Sequence, residues 1–379
     1  MRRLLAISLV LAMGTVNASV AAQPSKDPGL GRQWSLAKVA ESTLRGSPSI
    51  VVAVLDTGIT AHPDLGWRIT PNGVGRPGGA VLAGYDFLSD PWRSQDGDGW
   101  DPDPSDLGDG VRAADAAEKP GCKPRVSSWH GTNVAGTIGA IGNNGRGITG
   151  IASGVRLLPV RILGRCGGST ADVAAAILWA AGEPVVGIPL NDHPAQVINV
   201  SLSGESARCP RALQTAIDVA TERGASVVVA AGSAAANTRT QTPANCSGVI
   251  VVGATDRQDR RSPTSNFGTE VTVSAPGGNM SVRETDGIYT TANTGRYGPR
   301  RATYGYYQGS SAATAHVSGI IANLLSKQPG LTPDEVFDQI TDPSVLTPFT
   351  SGQCDVGDGL CGAGIVRLET VFARVPSSQ

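Results

Sequence analysis

Three polar residues stand where apolar segments end or begin, and each is of a type that acyl-transfer chemistry uses. Asp56 follows the apolar run 50–55 and heads Asp56-Thr57-Gly58. A carboxylate at the carboxyl end of a buried strand can orient an imidazole in a partly dry cleft. The same tripeptide is also an ordinary turn and helix-cap sequence. His130 leads the small-residue run Gly131-Thr132-Asn133-Val134-Ala135-Gly136-Thr137. Small residues let a helix pack close to a sheet and leave the imidazole exposed at its start. Imidazole is the side chain whose ordinary pKa suits proton shuttling near neutrality. The other three histidines, His62, His193 and His316, are expected to be structural or solvated. Ser311, in Gly309-Ser310-Ser311-Ala312-Ala313, opens a long apolar helical stretch. Free N–H groups at such a start either cap the helix or bind an oxyanion. Each signal is weak alone. Together they supply Asp, His and Ser in one of the orders used by nucleophile–base–carboxylate sets.

A second constellation is acidic. Nine aspartates lie from Asp86 to Asp115, among many Gly and Pro and with no apolar period. Carboxylates at that density repel one another, so a folded loop calls for a hard cation, and calcium suits clustered oxygen ligands. Asp96, Asp98, Asp101 and Asp103 are the expected ligands; the bland alternative is a solvated acidic loop. Asp96-Gly97-Asp98-Gly99 resembles the start of an EF-hand loop, but no Glu stands at the closing position and that motif fails.

The elements that must position these groups alternate. The apolar runs 50–55, 157–163, 197–202, 226–231 and 249–252 are short and β-branched on both faces, which marks strands buried in a parallel sheet. Segments 170–181, 210–223 and 311–325 have helical periodicity. The expectation is an α/β fold, doubly wound, with a mostly parallel central sheet and helices on both faces. The 379 residues suit either two domains or one large α/β domain, and no interdomain linker or repeat is visible.

The first 22 residues differ from the rest. Arg2 and Arg3 precede an apolar stretch, 4–13, interrupted only by Ser8, and Val20 and Ala22 fit a cleavage point before Gln23. This reads as a secretory signal, residues 1–22, too short for a stable membrane anchor. Its removal would take the formal charge from −1 to −3, and neither value argues for a nucleic-acid or anionic-membrane partner. Cys122, Cys166, Cys209, Cys246, Cys354 and Cys361 are even in number and lack metal-site spacing. In an oxidising compartment they are expected to form three disulfides. Neighbour pairing, 122–166, 209–246 and 354–361, is the simplest of the possible connectivities.

The segments around Asp56, His130 and Gly309–Gly319, with Leu158-Pro159-Val160-Arg161, 199–204, 228–232 and 361–366, resemble those of subtilisin-like serine proteases of the secreted bacterial type. The likeness runs from about Trp34 to the end. It implies Ser311 as nucleophile, His130 as general base and Asp56 as the group that holds the imidazole. It also implies that Ser201, Leu202, Ser203 and Gly204, with Ala230, Ala231 and Gly232, wall the cleft for the peptide backbone and P1 side chain. Ser311 and Ser233 would be the oxyanion donors, although the family normally has asparagine where Ser233 stands. Ser310, Ala312 and Ala315 replace the usual Thr, Met and Pro without removing a catalytic group. Residues 23–33 form a short polar leader with no room for a full inhibitory propeptide before a peptidase domain at 34–379. The implied protein is a monomeric, exported endopeptidase, secreted or periplasmic, acting on proteins or peptides. The alternative is a pseudoprotease that keeps the cleft as a peptide-binding or regulatory module.

Overall fold

The computed structural model describes residues 26–36, 45–69, 75–76, 79–350, 354 and 359–372. The expected signal segment lies outside them. The run Val51–Asp56 is β1, buried along its whole length. A small ribbon follows, β2 (Arg68–Ile69) with β3 (Gly75–Arg76). Then come β4 (Tyr85–Asp86), β5 (Arg156–Arg161), β6 (Val197–Val200), β7 (Gly204–Glu205), β8 (Ser226–Ala230), β9 (Gln241–Thr242), β10 (Ile250–Thr255) and β11 (Val273–Pro276). β12 (Ile288–Asn293) and β13 (Ala302–Tyr307) form an antiparallel hairpin, and β14 (Leu346–Thr347) and β15 (Ile365–Val366) end the series. The helices are α1 (Pro91–Ser94), α2 (Ala113–Glu118), α3 (His130–Gly139), α4 (Thr170–Ala180), α5 (Arg211–Glu222), α6 (Ser310–Lys327), α7 (Pro333–Thr341) and α8 (Leu368–Phe372).

Among the described residues, nine strands join in one sheet in the order β14-β15-β11-β10-β8-β6-β1-β5-β4, antiparallel only between β14 and β15. Alternate residues of β1 feed opposite layers. Val52 and Val54 pack with Val134 and Ile138 of α3 and Val317 and Ile321 of α6. Val51 and Leu55 pack with Val173 and Ile177 of α4 and Leu213 and Ile217 of α5. Both faces of the sheet are thus covered, which is why its strands read as continuous apolar runs.

From β1 the chain crosses to β5 on one side, whereas from β6 it crosses to β8 on the other. The carboxyl ends of neighbouring β1 and β6 therefore flank the point where the winding reverses, the usual place for a site in an open α/β sheet. Asp56 and Ser201 stand at those two ends.

The described part of the polar stretch ahead of Trp34, residues 26–33, is docked on this body. Asp27 accepts hydrogen bonds from the N–H groups of Asn143 and Gly145, at 2.5 and 3.0 Å. Gln33 exchanges two with the backbone of Thr149, at 2.8 and 3.1 Å. The packed unit accordingly begins upstream of Trp34. Disulfides join Cys122–Cys166, Cys209–Cys246 and Cys354–Cys361, with Cα separations of 5.7, 5.0 and 5.6 Å, the pairing of neighbours in sequence.

Candidate active site

Asp56 ends β1 with its carboxylate fully buried. Its Oδ1 accepts the Thr57 N–H at 2.7 Å and lies 2.8 Å from His130 Nδ1, while Oδ2 lies 2.9 Å from the same nitrogen. That contact fixes Nδ1 as the protonated ring nitrogen and leaves Nε2 free to accept a proton. Burial alone would push the imidazole down, but the charge and hydrogen bond of Asp56, with Asp109 and Asp106 behind, hold it above its ordinary value.

The small residues after His130 have the expected use. A side chain at position 131 would run into the Gly58 carbonyl, and one at 136 into Thr291 of β12. Helix α3 can therefore lie against the end of β1 and the hairpin only with glycine there. Trp129, just before it, adopts a left-handed backbone at φ 55°, costly for a bulky residue. Its indole N–H donates to Gly295 O at 2.8 Å and anchors that turn.

Ser311 occupies the first turn of α6, an 18-residue helix whose preceding Gly309 has φ +133°. Its hydroxyl donates to Ser201 O at 3.0 Å, and the Ser201 hydroxyl donates back to Ser311 O at 3.2 Å. Asn199 Nδ2 donates to Ser201 Oγ at 2.9 Å, completing a lock between the end of β6 and the start of α6.

Ser233 is exposed, and its Oγ accepts the Ser310 N–H at 3.0 Å while lying 3.2 Å from Ser310 Oγ. Ser310 Oγ accepts the Gly232 N–H at 3.0 Å. When the Ser310 hydroxyl donates to Ser233, Ser233 accepts twice and its own hydrogen remains to be donated. Asn237 caps the turn 238–240, its Oδ1 accepting the Arg239 N–H at 2.9 Å. Asn266, which sequence reasoning missed, holds the segment. Its Oδ1 accepts the N–H groups of Ala234 and Ala236, and its Nδ2 donates to Ala231 O, each at 2.9 Å.

An open cleft of about 720 Å³ runs from His130 and Thr57 between Ser201–Gly204 and the Gly164–Gly168 loop. The Cys122–Cys166 disulfide lies in its wall. Ala230, Ala231 and Gly232 do not line this space; they continue from β8 toward Ser310.

The aspartate loop is assembled differently from the expectation. The carboxylates that converge are Asp86, Asp96 and Asp101, with ligand atoms within 4.8 Å of one another; Asp98 and Asp103 are outside that group. Asp103 instead accepts the Ser105 hydroxyl at 2.6 Å, closing a local turn. Asp86 enters because it ends β4 beside the buried Arg161 of β5, whose Nη1 is 2.6 Å from Asp86 and 2.8 Å from Asp96. The guanidinium thus pairs with two of the three carboxylates. Burial pushes Asp86 up to about 8 and Asp101 up to about 6. That oxygen-rich donor set, short of positive charge, fits a hard cation.

Of the remaining histidines, two are visibly structural. His62 Nε2 lies 2.9 Å from Thr303 O, and His316 is bonded to Ala312 O and Ser35 Oγ at 2.8 and 2.9 Å.

Residues 47–362 match the subtilase family. An extracellular protease of Xanthomonas campestris pv. campestris is 42% identical over 359 residues, covering 94% of this chain and 54% of the relative. An extracellular basic protease of Dichelobacter nodosus is 37% identical over 367 residues, covering 93% and 56%. The chain thus spans about half the length of these two relatives. Among solved structures, a protease from Pseudoalteromonas arctica superimposes with a TM-score of 0.82 at 38% identity, covering 92% of this chain and 98% of that one.

Proposed function

The chain belongs to the subtilase family, and from that premise we propose that it is an exported serine endopeptidase acting through an acyl-enzyme. The observation that carries the reading is the buried Asp56 carboxylate clasping His130 Nδ1 in a cleft also lined by Ser201, whose carbonyl accepts the Ser311 hydroxyl. Ser311 Oγ attacks the scissile carbonyl as His130 Nε2 takes its proton; the imidazolium then protonates the leaving amine. Asp56 stays ionised and keeps the tautomer. A water, activated by the same imidazole, releases the acyl group. The oxyanion meets the first-turn N–H of Ser311, which lacks a helical acceptor, and the hydroxyl of Ser233. Extended peptides would lie along Ser201–Gly204, with Ala230–Gly232 behind the scissile bond. Two relatives named as extracellular proteases and three intrachain disulfides support action outside the cytoplasm. So does the signal-like segment 1–22.

Ser233 tests this reading. Ser233→Asn should raise kcat on a peptide substrate and leave KM nearly unchanged, because a longer donor reaches the oxygen well only after it becomes tetrahedral. The ceiling is about 10²–10³-fold, a figure that comes from another member of the family. Ser233→Ala should lower kcat below wild type. A wild type and Asn variant that are both folded and both inert would refute the enzyme reading in favour of a peptide-binding pseudoprotease.

The proposal includes a structural calcium ion, held by carboxylates of Asp86, Asp96 and Asp101. When bound it would supply the positive charge that Arg161 alone does not. Chelation should lower the melting temperature by several degrees, since an ion bound only by the folded state stabilises it by mass action. Identical melting curves with chelator and with added calcium would mean that Arg161 suffices.

A further inference from the structure

We propose that Asp106, from the aspartate-rich loop, is a positioning residue for His130, acting through Thr57 to fix the start of α3 against the end of β1. The inference rests on the protease reading above. Asp106 is buried, and its Oδ2 accepts the Thr57 hydroxyl at 2.7 Å while its Oδ1 accepts the Gly108 N–H at 2.8 Å. The Thr57 oxygen in turn accepts the Gly131 N–H at 2.9 Å, and the Thr57 N–H donates to Asp56 Oδ1 at 2.7 Å. Thr57 therefore ties the residue that follows His130 to the carboxylate that holds the imidazole. Asp106 fixes the rotamer that lets it do so, because the Thr57 hydroxyl can accept from Gly131 only while its hydrogen points elsewhere.

The loop has no slack at this point. The Asp106 N–H donates to Ile59 O at 2.9 Å, and the Ile59 N–H to Pro104 O at 3.2 Å, so segment 104–106 is laced to the chain leaving β1. A side chain at Gly58 would strike Pro104 O and lie 3.0 Å from the Asp106 nitrogen. Asp109 secures the other approach: its Oδ1 accepts the Ser128 N–H at 2.6 Å, two residues before His130. The aspartate loop thus does more than gather carboxylates at one end. Its other end is a buttress behind the base.

The charge of Asp106 acts in the same direction as its geometry. The charged groups around it are Asp109, which pairs with Arg125 at 2.9 Å, Arg161 on β5, and Asp56 with His130 itself. Burial, reinforced by Asp109, pushes the Asp106 carboxyl up to about 7 against the opposing Thr57 hydrogen bond. Ionised Asp106 favours the imidazolium that forms when His130 takes its proton. An isosteric amide would keep the acceptor for Thr57, give up the one for the Gly108 N–H and lose that charge.

The test uses kcat, KM and the pH profile of kcat/KM on a fluorogenic peptide. Asp106→Ala should lower kcat about tenfold or more with KM within about twofold, as a misplaced base does. Asp106→Asn should restore kcat to within about threefold of wild type. It should also alter the profile near pH 7, where Asp106 titrates in the wild type and the amide does not. Thr57→Val should reproduce the alanine loss, and Thr57→Ser should recover it; this pair decides the matter if Asp106→Ala does not fold. The inference is overturned if folded Asp106→Ala or Thr57→Val keeps wild-type kcat with an unchanged pH profile. It is also overturned if Asp106→Asn is as slow as the alanine variant. A wild type that hydrolyses nothing is a different result and removes the protease reading itself.

Discussion

Ser311→Ala should reduce kcat by about 10⁶-fold while leaving KM and the melting temperature close to wild type. The figure is borrowed from another subtilase, where loss of the serine costs about as much as loss of all three triad groups. The structural argument is that the two hydroxyls beside Ser311, those of Ser310 and Ser201, are held in other contacts. Ser310 is one residue away, but its Oγ faces Gly232 and Ser233 and is buried on that side. Ser201 Oγ is committed between Asn199 and the Ser311 carbonyl. Ser311 itself is half-buried, so removing its hydroxyl opens no large cavity and breaks one hydrogen bond, to Ser201 O. Activity and stability should therefore separate cleanly. Residual turnover within about a hundredfold of wild type would move the nucleophile elsewhere.

Asp56→Asn should be the next largest effect, about 10⁴-fold in kcat. The asparagine fits the same space and its oxygen can keep the Thr57 N–H. Its NH₂ would then face His130 Nδ1, where the carboxylate oxygens now lie at 2.8 and 2.9 Å. Two donors cannot face each other, so the ring would shift to the tautomer protonated at Nε2, which cannot take the serine proton. The imidazolium would also lose the carboxylate charge that opposes its desolvation. A steady-state assay with a matched active-site titration checks this; a loss under about tenfold would mean that Asp56 only fills space.

Much of this site was legible in the sequence because its groups sit at element ends. Asp56 closes a β-branched run, His130 opens a run of small residues, and Ser311 opens an apolar helix; each junction is local and has a compositional edge. The disulfides were legible for the same reason, since each closes a loop between sequence neighbours. What could not be read was the set of contacts made across the sheet. Asp86 joins Asp96 and Asp101 only because β4 lies beside β5, which brings up Arg161 from far along the chain. The link from Asp106 through Thr57 to Gly131 joins three segments that no periodicity relates. Asn266, on the loop beyond β10, gives no sign in sequence that it holds the backbone around Gly232. The β12–β13 hairpin was hidden as well, because it is held by polar and aromatic contacts, the Thr290 and Thr291 hydroxyls on α3 carbonyls and Tyr289 on Tyr306, and not by an apolar period.

The central claim is that Ser311 is a nucleophile activated by His130 and Asp56. Its most direct test is intact-protein and peptide mass spectrometry after treatment with a fluorophosphonate probe. The account predicts one adduct per molecule of wild-type protein, located on Ser311, absent from Ser311→Ala and strongly slowed in Asp56→Asn. An adduct on Ser310 or another residue, or labelling that persists unchanged in Ser311→Ala, would contradict it.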